Sequence, residues 1–146
     1  MNRPGRIKTF MDIAYIMSKR STCVRRQVGC VLIDTHNHVV ATGYNGVASG
    51  MTHCIDTPCP GAEYESGQGL DQCQAIHAEQ NALLQCKDVY NIKDCFVTAE
   101  PCVTCTKLLM NTSCKNIYYS EYYPGDGEKL WDDSRDIGHW IKVNPI

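Results

Sequence analysis

The sequence predicts a three-layer α/β/α fold around a five-stranded mixed sheet. Predicted helices and strands follow one another in the order α-β-β-α-β-α-β-α-β, an alternation typical of helices that cover both faces of a sheet. About twenty residues with a helical pattern separate the last two strands, which favours parallel pairing, because a tight hairpin would force antiparallel pairing. The length of 146 residues leaves room for a single domain, residues 1–146.

Each predicted element has its own local signal. Thr9 and Asp12 form a loose capping box before the first helix, and the polar cluster 34–37 joins the first two strands into a hairpin. Pro101 is expected in the first turn of the third helix, a position that proline favours. The predicted helices cover about 9–19, 75–87, 101–111 and 128–136, and the predicted strands cover 28–33, 39–44, 95–98, 117–119 and 141–143.

A long segment, residues 45–74, has no sustained hydrophobic period and is rich in glycine. A structureless loop of that length is uncommon inside a compact domain. We therefore expect this insertion to be functional or to be stapled to the rest of the fold.

Composition excludes several classes of protein. The net charge of −2 argues against a nucleic-acid partner, because neutralising phosphates needs a basic face. No apolar run approaches the roughly 18 residues that a membrane span requires. The sequence has ten cysteines, and its N-terminal residues lack the apolar core of a signal peptide. These features indicate a cytoplasmic metal-binding protein, and they argue against a secreted disulfide scaffold.

Two short motifs together predict a catalytic zinc site. His77 opens one predicted helix, and Cys102 and Cys105 lie three residues apart at the start of another. Three such ligands suit Zn²⁺ and leave a fourth tetrahedral position for water. Helix N-termini also favour thiolate over thiol. Glu79 follows His77 by two residues and is the candidate general base, expected to converge on the same helix end.

Four segments carry a wider resemblance: Ser21–Gly29, Thr42–Gly46, His77–Ala82 and Pro101–Cys105. They resemble the cytidine deaminase superfamily, and specifically its deoxycytidylate (dCMP) branch, over nearly the whole chain. The resemblance implies that His77, Cys102 and Cys105 hold zinc. It also implies that Glu79 moves protons from the attacking water to N3 of cytosine and to the departing ammonia. The implied product is dUMP, the precursor for thymidylate synthesis.

The resemblance also implies substrate contacts and regulation. Asn45 would contact the sugar, and the backbone at Ala78 and from Thr98 to Glu100 would read the pyrimidine edge. Relatives of this branch are homohexamers that dCTP activates and dTTP inhibits. The glycine-rich turn is the candidate effector site, because its N–H groups could face phosphates. Its candidate residues are Gly43, Tyr44 and Gly46.

Arg25 and Arg26 precede the first strand and have two interpretations. Arginine suits bidentate contact with a phosphate, which a monophosphate substrate needs. The alternative is a solvated pair of surface charges. The sequence alone favours neither interpretation.

The remaining cysteines also have two interpretations. The resemblance implies a second, structural zinc that would pin the long insertion. Its predicted ligands are Cys23, Cys54, Cys59 and Cys73, with His53 as a substitute. The alternative is a set of buried free thiols, which behave as small apolar groups. That description fits Cys30, Cys86, Cys95 and Cys114, which lie in or beside predicted helices and strands.

Two other functions compete with deamination of dCMP. One is deamination of another base, such as a tRNA adenosine, but the mild acidity and the lack of a basic C-terminal helix count against it. The other is a non-catalytic zinc module that acts in assembly or regulation. Glu79 discriminates here, because a purely structural zinc has no use for an adjacent carboxylate.

Overall fold

The computed structural model describes residues 2–23, 25–53, 56, 75–134 and 138–144. Within them the elements follow the predicted order. The α-helices are α1 (Arg6–Ser18), α2 (Ala78–Gln85), α3 (Val103–Met110) and α4 (Gly127–Ser134). The strands are β1 (Gly29–Ile33), β2 (Val39–Tyr44), β3 (Asp94–Ala99), β4 (Asn116–Glu121) and β5 (His139–Lys142), and a short 3₁₀ turn covers Val89–Asn91.

The strands form one mixed sheet in the order β2-β1-β3-β4-β5. Strand β1 pairs antiparallel with both β2 and β3, whereas β3, β4 and β5 run parallel to one another. The predicted five-stranded mixed sheet and the predicted parallel pairing of the last strand are both confirmed. Helices α3 and α4 lie in the crossovers between the parallel strands, because a tight hairpin cannot join parallel neighbours.

Helices cover both faces of the sheet. In β1, Val31 and Ile33 face α1, while Cys30 and Leu32 face the opposite layer, because successive side chains of a strand alternate. The core under α1 contains Met11, Ala14, Val31, Ile33, Phe96 and Tyr118. The core on the other face includes Leu32, Ala82, Val97, Leu109, Ile117 and Trp131. None of the described helices has the length and apolar character that a bilayer crossing requires.

Three predicted element boundaries are wrong. Helix α1 begins at Arg6, so Thr9 lies inside it and donates its hydroxyl hydrogen to the Gly5 carbonyl at 2.9 Å instead of capping the helix. Pro101 lies before α3 rather than in its first turn, because Cys102 is the N-cap. Helix α2 begins only at Ala78, since Ile76 is paired with Gly46 in an isolated β-bridge.

Gly43 sets how closely α2 approaches the sheet. A Cβ atom at this position would lie 2.3 Å from the Ala78 carbonyl oxygen and 2.5 Å from the Ala82 nitrogen. Only a residue without a side chain lets the backbone of α2 lie against β2 at this distance. The first turn of α2, which carries Glu79, is therefore held directly against the sheet.

Candidate metal centre and active site

Three side chains converge at the start of two helices. The ligand atoms of His77, Cys102 and Cys105 all lie within 4.8 Å of one another. The His77 Nδ1 atom is 3.2 Å from the Cys105 Sγ atom and 3.6 Å from the Cys102 Sγ atom. One imidazole nitrogen and two sulfurs at these distances fit the donor set that zinc prefers, and three protein ligands leave one tetrahedral position open.

Helix starts create this convergence. His77 is the N-cap of α2, and its backbone N–H donates to the Gln80 side chain at 2.9 Å. Cys102 is the N-cap of α3, and its sulfur accepts the Cys105 backbone N–H at 3.5 Å. The predicted placement of both motifs at helix N-termini is confirmed. The free N–H groups of a helix start favour negative charge, so they stabilise thiolates here.

The three ligands shift one another's protonation. The pKa of the Cys102 thiol is lowered to about 4, chiefly by a hydrogen bond from the Cys105 side chain and further by His77. The pKa of Cys105 is raised, because its proton is held by Cys102 and because the residue is buried. Hydrogen bonding to Cys102 raises the pKa of His77. The protonation states of the three side chains thus depend on one another, and their deprotonated forms would bind a cation.

Glu79 lies beside this set and is only 4% exposed. Burial raises the pKa of its carboxyl group to about 7, and the positive charge of a protonated His77 opposes that shift. A carboxyl group that titrates near neutral pH can both accept and donate a proton. The structure therefore brings the predicted base to the predicted metal ligands. His77 and Glu79 both lie at the start of α2, and that helix start meets the start of α3, which carries the two cysteines.

One cavity joins these residues to most of the predicted substrate contacts. Arg25, Arg26, Asn45, Ala78 and Glu100 all contribute to its wall. The other lining residues are Cys23, Val28, Ala75, His77, Glu79, Ala99, Cys102 and Tyr123. Tyr123 was not among the predicted residues. It comes from the loop after β4, and no local spacing in the sequence connects it with the metal motifs.

Asn45 holds one wall of the cavity together. Its Oδ1 atom accepts the Ser21 hydroxyl at 2.5 Å and the Val28 N–H at 2.9 Å, and its Nδ2 atom donates to the Arg26 carbonyl at 2.7 Å. Two donors on one side and an acceptor on the other define the orientation of the amide. Among the described residues, Nδ2 makes this one hydrogen bond.

The two arginines lie in the cavity wall and are half-buried. Arg26 donates to the Tyr122 carbonyl at 2.9 Å, and its guanidinium lies 5.2 Å from the centre of the Tyr123 ring. Both side chains are partly exposed, so phosphate contact and a solvated pair of surface charges both stay predictions. A guanidinium that lies over an aromatic ring is restricted in its orientation.

Thr98 is placed differently from the other predicted substrate contacts. It is completely buried, and its hydroxyl oxygen accepts the Gly29 N–H at 3.2 Å. It does not line the cavity, whereas the next two residues, Ala99 and Glu100, do. The alternation of side chains along β3 accounts for this difference, because Thr98 points to the face opposite that of Val97 and Ala99.

Two N–H groups of the glycine-rich turn are paired within the fold. The Asn45 N–H donates to the Val28 carbonyl at 3.2 Å, and the Gly46 N–H donates to the Ile76 carbonyl at 3.1 Å. The Tyr44 carbonyl accepts the Asn81 side chain at 2.8 Å, and Gly43 packs against α2. Among the described residues this turn thus joins β2 to α2, and its role as an effector site stays a prediction.

The second cysteine set is only partly described. Cys23 is buried and lines the cavity, and His53 is exposed. Its other predicted ligands, Cys54, Cys59 and Cys73, lie outside the described residues. Of the cysteines expected as apolar thiols, Cys30, Cys95 and Cys114 are fully buried and Cys86 is half-buried.

Comparison with known proteins agrees with this geometry. Residues 5–121 match the family described as the cytidine and deoxycytidylate deaminase zinc-binding region. A deoxycytidylate deaminase of Schizosaccharomyces pombe is 39% identical over 85% of this chain, and one of Mycobacterium phage D29 is 36% identical over 82%. The chain covers 97% of the phage protein but only about two-fifths of the length of the S. pombe and Saccharomyces cerevisiae relatives.

Among solved structures, the apo dCMP deaminase of cyanophage S-TIM5 superposes with a TM-score of 0.75 at 25% sequence identity, covering 97% of this chain and 100% of that one. The matched region contains the two helix starts that carry His77, Glu79, Cys102 and Cys105. The chain therefore belongs to the zinc-binding family of cytidine and deoxycytidylate deaminases.

Proposed function

We propose that the chain is a zinc-dependent hydrolase that converts dCMP and water into dUMP and ammonia. The observation that carries the proposal is the buried Glu79 carboxyl beside the donor set of His77, Cys102 and Cys105, with Glu79, His77 and Cys102 lining one cavity. Relatives named deoxycytidylate deaminase support the choice of substrate. The product would supply thymidylate synthesis, and the thiol-rich composition is consistent with a cytoplasmic location.

The residues divide the chemistry among themselves. Zinc held by His77, Cys102 and Cys105 would supply the Lewis acidity that makes water nucleophilic at neutral pH. Glu79 takes the proton that the water releases as it attacks C4 of cytosine, and passes it to N3. The same carboxyl then takes the proton of the new hydroxyl on C4 and delivers it to the amino group, so that the C4–N bond breaks, ammonia leaves and C4 becomes a carbonyl. Burial of Glu79 supports this double role, because a desolvated carboxyl binds and releases protons near neutral pH.

The cavity wall supports recognition of a nucleoside monophosphate. Asn45 would contact the sugar, and the backbone near Ala78 and Glu100 would read the edge of the base, since all three residues line the cavity. Arg25 and Arg26 would balance the charge of the phosphate. We extend the proposal to a homohexamer that dCTP activates and dTTP inhibits, and to a second zinc bound by Cys23 with cysteines of the 45–74 insertion.

A substrate panel tests the proposed function. Purified, zinc-loaded protein is offered dCMP, CMP, deoxycytidine and dCTP, and ammonia release is followed for each. We expect dCMP to be preferred over deoxycytidine by about 10⁴-fold, because the nucleoside cannot make the phosphate contacts proposed for the arginines of the cavity wall. Equal rates on dCMP and deoxycytidine would contradict recognition of the phosphate, and no ammonia from any of the four would contradict the activity.

A further inference from the structure

Both oxygens of the Glu100 carboxylate accept a hydrogen bond within the protein, although the residue lines the cavity. Its Oε2 atom accepts the Trp140 indole N–H at 3.0 Å, and its Oε1 atom accepts the Tyr123 backbone N–H at 3.3 Å. The Glu100 backbone N–H donates to the Glu121 carbonyl at 2.8 Å. The residue therefore makes three hydrogen bonds to β4, β5 and the loop that follows β4.

These contacts occur at the turn between β3 and α3, the helix start that carries Cys102 and Cys105. Glu100 follows the last residue of β3 and is separated from Cys102, the N-cap of α3, by Pro101 alone. Its partners lie just after β4 and within β5, the two strands that run parallel to β3. A single carboxylate thus fastens the turn that presents both cysteine ligands to the parallel half of the sheet.

A carboxylate suits this position better than its neutral analogue. Both partners are N–H donors, so both side-chain oxygens must accept. Glutamine has one acceptor oxygen, and its NH₂ group would face one of the two donors. The Trp140 indole is also positioned independently of Glu100, because its ring lies about 6.0 Å from the rings of Tyr119 and Trp131.

We propose that Glu100 is a positioning residue of the metal centre: it fixes the β3–α3 turn that presents Cys102 and Cys105, and so slows the release of zinc. The proposal rests on zinc binding at this centre and not on the identity of the substrate. Residues that orient metal ligands through hydrogen bonds typically change metal affinity by about 10- to 100-fold when they are replaced.

The test measures the rate at which zinc passes from the loaded protein to an excess of a chromophoric chelator. The phase that belongs to this centre is the one that Cys102→Ser removes. We expect Glu100→Gln to accelerate this phase about tenfold. Trp140→Phe should accelerate it less. The carboxylate then loses one hydrogen bond, whereas in Glu100→Gln two N–H donors face each other. In the double variant Glu100→Gln/Trp140→Phe, the NH₂ group can face the phenyl ring, so release should be slower than in Glu100→Gln alone.

A matched control separates positioning from general destabilisation. Arg6→Ala breaks an ion pair at the opposite end of β3 and should lower stability without accelerating zinc release. The proposal is overturned if Glu100→Gln releases zinc within twofold of the wild type, if the double variant shows the product of the two single effects, or if Arg6→Ala accelerates release equally. Deamination of dCMP is assayed on the same wild-type preparation. Its absence from zinc-loaded protein would contradict the proposed function, while the release rates would still decide the role of Glu100.

Discussion

Replacing Gly43 with alanine should displace the first turn of α2 from the sheet. The added Cβ would lie 2.3 Å from the Ala78 carbonyl oxygen and 2.5 Å from the Ala82 nitrogen, both of them backbone atoms. Ordinary contact begins near 3.4 Å, so the helix must move by about 1 Å or the strand must bend. Overpacking of this kind costs about 1–3 kcal/mol of unfolding free energy.

The displacement acts directly on the chemistry. His77 caps α2 and Glu79 lies in its first turn, so both move relative to Cys102 and Cys105. A misplacement of about 1 Å can cost about 10²-fold in rate. We therefore expect Gly43→Ala to lower kcat by about that factor and to reduce the zinc content of the purified protein.

Denaturant unfolding, metal analysis and ammonia release measure these effects together. Gly5→Ala is the matched control, because no atom lies within 4 Å of an added Cβ there and its φ of −66° suits alanine. If Gly43→Ala behaves like this control in all three measurements, the contact between β2 and α2 does not position the site.

Three further predictions concern stability, the second metal and the phosphate. Arg6→Ala should lower the unfolding free energy by about 2–3 kcal/mol, because it leaves the buried Asp94 carboxylate without its ion-pair partner. Lys8→Ala breaks an exposed ion pair and should lower it by about 0.5 kcal/mol or less. Equal losses in denaturant unfolding would contradict this prediction. Cys54→Ser should remove one of two zinc ions per chain and lower Tm; metal analysis that finds a single zinc in fully loaded wild-type protein would refute the second site. Arg26→Ala should raise KM for dCMP by about 10- to 100-fold and change activity on deoxycytidine much less, and unchanged dCMP kinetics would assign the phosphate to another group.

The sequence predicted the order of elements and the convergence of the metal ligands because both depend on short-range signals. Buried strands have dense runs of apolar residues, and a crossover of about twenty residues determines parallel pairing. The spacing of Cys102 and Cys105, and that of His77 and Glu79, predicts a metal site because each pair lies at a helix start. A helix start is itself a local feature, so the ligand set could be identified before any long-range contact was known.

The cavity wall could not be predicted in the same way. Tyr123 and Trp140 reach Glu100 across 23 and 40 residues of sequence, and no local pattern records such a contact. The glycine-rich turn was predicted to bind phosphate because its composition resembles an anion site, but the N–H groups of Asn45 and Gly46 are paired within the fold. Composition indicates which groups are present, and only tertiary pairing determines which of them stay available.

The proton shuttle is the central claim, and Glu79→Gln tests it most directly. The substitution preserves the shape of a side chain that is 4% exposed and whose carboxyl pKa is near 7, so a neutral amide should be accommodated without loss of fold or zinc. Glutamine cannot accept or return a proton, so turnover of dCMP should fall by at least about 10²–10⁴-fold, measured as ammonia release from protein of verified zinc content. Activity within a few-fold of the wild type would contradict the account.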